Sequence, residues 1–91
     1  MSGKEDMKLV YIEWVDSFTG PHTWKHLEEI EPEALVCRSV GWLAHDGEDV
    51  KVLIPHVAAG DTVELQGCGG MTIPAKAINR MVELDVEGGN Q

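Results

Sequence analysis

The sequence predicts a mainly β protein, a small five-stranded antiparallel SH3-like barrel with one short helical segment. Three observations carry that prediction. Apolar and polar residues alternate with period two over much of the chain, as in strands that bury one face. Clusters of Gly, Pro and Asp recur between those runs, at DSFTGPH, HDGEDV, AAGDT and QGCGG, where tight turns need them. Helix formers are concentrated in one stretch, TWKHLEEIEPEAL, which Pro32 interrupts. A chain of 91 residues suits one domain around one core. Residues 1–91 therefore read as a single unit, with 1–7 and 88–91 polar or Gly-rich enough to fray.

The first strand is expected from Leu9 to Asp16, with Val10, Ile12 and Trp14 on one face and Tyr11, Glu13 and Val15 on the other. Gly20 and Pro21 break the chain after it. Between Thr23 and Leu35, Trp24, Leu27 and Ile30 fall on a common stripe of one or two helical turns, and Glu28, Glu29, Glu31 and Glu33 line its outer side. From Val36 the period returns to two. Val36, Val40, Trp42 and Ala44 are expected inward with Arg38 in register among them, and Cys37, Ser39, Leu43 and His45 outward, while Gly41 permits a bend.

Asp46 and Gly47 centre a hairpin turn. VKVLIPHV follows as one strand, apolar at nearly every position, which argues for burial on both faces or a subunit contact. AAGDT turns the chain, and VELQGCGG leads into a strand carrying Met71 and Ile73. Pro74 then opens a 3₁₀ turn filled by Ala75, Lys76 and Ala77, and Ile78 re-enters the core on the last strand.

Charge narrows the function. Sixteen acidic residues against seven basic ones give a net charge of −9, which repels phosphate backbones and makes nucleic acid an unfavourable partner. The opening MSGKEDMKLV lacks the apolar stretch of an export signal, and the longest apolar runs are too short to span a bilayer. An intracellular protein without a membrane partner is expected, with Cys37 and Cys68 as buried thiols.

His22 and His26 are four apart but lack the HExxH pattern, and the two cysteines lack zinc-knuckle spacing, so no metal is expected. Cys68 with His56 or His45 could pair as nucleophile and base across adjacent strands. A barrel this small seldom encloses the cleft that such chemistry needs. The expectation is a non-catalytic protein without a cofactor.

Binding is the expected class. Arg38, in register with apolar residues, needs either the strand's rim or an anionic partner over a pocket or subunit joint. Gly67, Gly69 and Gly70 around Cys68 read first as a bulge or positive-φ turn beside a packed thiol, and secondly as successive amides that could hold an anion. Trp24 and Trp42 read first as core residues, although three tryptophans in so short a chain leave room for one at an interface. The ligand-binding candidates are Arg38, Trp42, Gly67, Cys68, Gly69, Gly70, Lys76 and Arg80.

Two resemblances add expectations. IPAKAINRMVEL is similar to the final strand pair of Sm-like proteins, including the bacterial RNA-chaperone branch. Ala77 and Ile78 match its Ala-Ile pair, and Pro74, Ala75 and Lys76 lie where that branch carries an RNA-contacting turn. This chain has Ala75 and Lys76 where the branch carries an aromatic and a His. The arrangement of Trp14–Ser17, Cys37–Leu43, Ile54–His56 and Met71–Pro74 resembles small bacteriophage and prophage proteins. That resemblance implies a phage accessory protein in the cytoplasm of a bacterial host, where such proteins sequester nucleotide signals or block host proteins.

Two functions follow, and the sequence ranks them in this order. In the first, a homo-oligomer sequesters a small anionic ligand, a nucleotide immune signal for example, at a subunit boundary bearing the candidates above. In the second, an acidic surface made of Glu28, Glu29, Glu31, Glu33, Asp46, Glu48 and Asp49 blocks a basic surface of a host protein.

Overall fold

The structure is a computed structural model in which residues 7–20, 22–60 and 63–86 are described. Of the expected features, the fraying termini lie mostly outside these residues, as do Pro21 in the first turn and Asp61 and Thr62 in the AAGDT turn. The chain is mainly β. Its strands are β1 (Leu9–Asp16), β2 (Leu35–Asp46), β3 (Val50–Ile54), β4 (His56–Gly60), β5 (Val63–Cys68), β6 (Met71–Pro74) and β7 (Ile78–Leu84). Single 3₁₀ turns occupy Leu27–Glu29 and Ala75–Ala77. β6, β3, β2, β1 and β7 pair in that order as one antiparallel sheet, and β4 pairs with β5 in a second.

The expected five strands become seven among the described residues because two of them are cut. Pro55 divides VKVLIPHV into β3 and β4, and Gly69 and Gly70 divide the next run into β5 and β6. Proline cannot donate to a ladder, so the hairpin changes direction there. The partner strand bends at the matching place. Gly69 adopts φ 80°, a left-handed conformation that side chains resist, and a Cβ built on it would lie 3.0 Å from Pro55 Cγ. Gly69→Ala is therefore expected to lower stability by about 1–2 kcal/mol in urea unfolding. Gly20→Ala, whose Cβ would meet nothing within 4 Å, should cost far less; equal losses would contradict this account of the corner.

The sheet is strongly coiled, as the turn between its edge strands requires. β6 and β7 are the two edges of the five-stranded sheet, yet only Ala75–Ala77 joins them. Across a flat sheet those edges would stand roughly 19 Å apart. Along β2 they are also offset, since Pro74 pairs with Val50 beside Gly47, while Ile78 shares a row with Trp14 and Cys37; that offset is roughly 30 Å of strand. Four Cα–Cα steps from Pro74 to Ile78 reach at most about 15 Å. Only a rolled, sheared sheet brings the two ends that close. The Ala75 amide donates to the Asp49 carbonyl at 2.8 Å, anchoring the turn to the β2–β3 corner.

The core inside this roll is small: Val10, Ile12, Leu43, Leu53 and Ile73 are buried, with Trp14 and Ile78 packed against them. β1 faces as its alternation predicts, and the Trp14 indole N–H donates to Ser39 Oγ at 3.1 Å. β2 faces the opposite way from the expectation. Trp14 is paired with Cys37, Ile12 with Ser39 and Val10 with Gly41, so the inward row is Cys37, Ser39, Gly41 and Leu43. Val36, Arg38, Val40 and Trp42 lie on the outer face, with Val36 47% and Val40 55% exposed. A one-residue change of register reverses every side chain, and Arg38 thereby escapes the burial that made it anomalous.

Candidate functional site

Two surfaces stand out, one on the β1–β2 connection and one on the outer face of the sheet. Between β1 and β2 the chain holds one 3₁₀ turn, in which the Glu29 amide donates to the His26 carbonyl (2.9 Å) and the His26 amide donates to Glu29 Oε1 (3.1 Å). This reciprocal pair forms the turn that the sequence suggests, yet its apolar stripe is not among the side chains packed against the core cluster. Trp24 is 103% exposed, Leu27 85%, Ile30 54% and Phe18 50%. These four side chains border an open depression of about 590 Å³ that Glu29, Glu31 and Glu33 also line. Trp24 is thus not a core residue: among the described residues the buried side chains all come from β1, β2, β3 and β6, and none from the loop.

On the outer face, paired residues of β2, β1 and β7 form rows. Trp42, Leu9 and Leu84 make one row, Val40, Tyr11 and Val82 the next, and Arg38, Glu13 and Arg80 the third. The charged row is internally connected. Arg38 Nε lies 3.4 Å from Glu13 Oε2, the Tyr11 hydroxyl donates to the same oxygen at 3.4 Å, and Arg80 Cζ sits 5.6 Å from the centre of the Tyr11 ring. A guanidinium over an aromatic face is attracted by the ring's quadrupole, so Tyr11 helps to hold Arg80 beside the apolar row.

The eight ligand-binding candidates fall in three places. Arg38 and Arg80 flank Glu13. Trp42 pairs with Ile54, whose side chain would lie 2.9 Å from a Cβ on Gly67, and Gly69 faces Pro55. Gly67 and Gly69 are thus accounted for by the close approach of Ile54 and Pro55 at the corner, with Gly70 adjoining them. Lys76 lies in the second 3₁₀ turn, anchored at the opposite end of β3. Cys68 is directly opposite His56 in the β4–β5 ladder, and both are exposed. Among the described residues no three His, Cys, Asp or Glu side chains could hold a metal ion together, and no helix is long and apolar enough to cross a membrane.

The acidic candidates also divide. Glu28, Glu29, Glu31 and Glu33 precede β2, whereas Asp46, Glu48 and Asp49 lie at its far end, roughly 35 Å of strand away. In the second group Asp46 is paired with Lys51. The hydrogen bond from Lys51 lowers the Asp46 pKa from its ordinary value, with the Lys51 charge acting in the same direction. A carboxylate with a depressed folded-state pKa adds stability above the unfolded pKa and loses it as pH falls through the folded one. With Asp46 56% exposed, that contribution is small. The Asp46 carboxyl is expected to titrate below the usual aspartate range by NMR, and Lys51→Met should move its midpoint upward; an unmoved midpoint would refute the pairing.

Neither a protein-family model, nor a curated protein, nor a solved structure matches this chain.

Proposed function

We propose that this protein is a non-catalytic binding factor, an SH3-like barrel that presents the acidic, apolar β1–β2 loop to a basic surface on a partner protein. The barrel reading is supported by the five-strand order and by the three-residue turn that spans the sheet edges. One observation carries the functional reading: Trp24 is 103% exposed on a segment whose Leu27 is 85% exposed and whose carboxylates are Glu28, Glu29, Glu31 and Glu33. Large apolar anchors within a charged rim are the composition of a binding hot spot. The resemblance to phage proteins suggests a bacterial host protein as the partner and the host cytoplasm as the compartment.

We therefore rank the protein-binding reading first, the reverse of the order that the sequence suggests. Nucleotide sequestration needs the candidate bases and glycine amides at one place, and the described chain spreads them over three. What still favours that second reading is the pair Arg38 and Arg80 beside Tyr11, which could meet a phosphate at a subunit joint. Native mass spectrometry with cyclic dinucleotides and mononucleotides tests it, a stoichiometric adduct lost on denaturation being the supporting result.

The loop reading is tested by placing a photo-cross-linking residue at position 24 in bacterial cells. The expected result is one predominant adduct with a protein that carries a basic patch, lost on charge reversal by Glu28→Lys with Glu31→Lys. Glu29 is spared because it closes the 3₁₀ turn. No adduct, or adducts indifferent to the charge reversal, would overturn it.

A further inference from the structure

The exposed loop and the outer sheet face complement each other in polarity and in charge. The loop between β1 and β2 carries four carboxylates against one base, Lys25, among apolar anchors. The face carries two arginines against one carboxylate, Glu13, beside the apolar row Val40, Tyr11 and Val82. In a chain of net charge −9, most approaches of one copy to another are repulsive. This face, locally net positive, is a place where the acidic loop of a second copy meets attraction. Within one chain the two surfaces do not cover each other, since Val36 is 47%, Val40 55% and Trp24 103% exposed.

We propose that the β1–β2 loop of one copy docks on the β2–β1–β7 outer face of a second copy. Trp24 and Leu27 cover the row Val40, Tyr11 and Val82, while Glu28 and Glu31 approach Arg38 and Arg80. The proposal rests on the loop being the binding element and names a partner for it. The contact is heterologous, so each copy offers both a donor loop and an acceptor face, and copies join head to tail into a ring or a chain. It also sets a competition: a loop seated on a neighbouring copy is unavailable to a host protein. Self-association is expected to weaken as salt rises.

Complementation between two defective copies tests this directly. Wild-type protein should self-associate with concentration in sedimentation velocity. A loop-defective variant, Trp24→Ala with Leu27→Ala, and a face-defective variant, Arg38→Glu with Arg80→Glu, should each associate about tenfold or more weakly. Val40→Glu serves as a second face variant should the arginine pair prove necessary for folding, with circular dichroism as the check.

Mixed one to one, the two defective proteins should form a heterodimer and nothing larger, since only one intact loop and one intact face remain. A wild-type monomer at all concentrations, persistent assembly of the loop-defective variant, or failure of the folded variants to pair would overturn the proposal. The face-defective variant with the cross-linker at position 24 separates the two readings. A basic partner captured without self-association leaves the loop reading standing and removes this one, whereas neither capture nor self-association removes both.

Discussion

Ile12→Ala is expected to lower the unfolding free energy by about 2–5 kcal/mol, a large share of the roughly 5–15 kcal/mol that holds a typical domain folded. Ile12 is 0% exposed and belongs to a core of five buried side chains among the described residues. Truncation removes three carbons from water-free contact and leaves a cavity that the surrounding strands cannot easily close, because the sheet is already rolled around it. Urea unfolding measures the loss. Val82→Ala is the natural comparison, since Val82 is 38% exposed on the opposite face and should cost less than about 1 kcal/mol. A cost for Ile12→Ala no larger than for Val82→Ala would mean that the core forms around different residues.

Trp24→Ala should have the opposite profile, an unchanged thermal midpoint and at least about tenfold weaker partner binding. The side chain is 103% exposed and contributes no burial within its own chain, so removing it leaves the folded state's internal contacts intact. At an interface the same indole would bury an area on the order of 200 Å², which makes it the largest apolar anchor on the loop. The test is quantitative binding of wild type and variant to the partner identified by cross-linking, alongside thermal unfolding of each. Undiminished binding would remove the loop from the interaction, and a lowered midpoint would show that Trp24 packs against the body of the protein.

The two predictions separate residues that the sequence alone treats alike. Ile12 and Trp24 both read as inward-facing apolar positions, one by strand alternation and the other by helical spacing. The strand reading holds because Val10, Ile12 and Trp14 alternate with Tyr11, Glu13 and Val15, and a period of two has one way to bury its apolar row when the other contains a carboxylate. The 3₁₀ turn at Ala75–Ala77 and the start of β7 at Ile78 are equally legible, since proline acts through local backbone preferences. The β2–β3 turn is legible as a turn but centres on Glu48 and Asp49 rather than on Asp46 and Gly47, because Asp46 stays in the ladder opposite Lys51 and the Gly47 amide donates to the Val50 carbonyl. The helical stripe fails because a stripe only marks what could be buried. Whether a face exists to receive Trp24, Leu27 and Ile30 depends on how the distant strands close.

β2 failed in a related way. Val36, Val40 and Trp42 on one side and Cys37 and Leu43 on the other are both apolar enough to face a core, so alternation alone leaves two registers open. Pairing decides between them: Leu43 lies opposite Leu53 and Gly41 opposite Val10, which turns Arg38 outward to Glu13. The candidate sites inherited that ambiguity. Arg38 and Arg80, about forty residues apart in sequence, come into register on either side of Glu13, a proximity that no local spacing encodes. For Gly67 and Gly69 the first reading, a bulge or positive-φ turn, agrees with the φ of 80° at Gly69 and with the close approach of Ile54 and Pro55.

The sequence by itself determined the β class, the bounds of β1, the starts of β2, β3 and β7 to within a residue and the 3₁₀ turn at Ala75–Ala77, because those follow from side-chain period and backbone preference within a few residues. Only the tertiary structure decided which face of β2 is buried, that two runs split at Pro55 and at Gly69 and Gly70, and that the loop's apolar residues remain outside. Those outcomes depend on pairing between segments far apart in the chain, where burial is shared out among strands and a locally apolar residue is buried only if another element arrives to cover it.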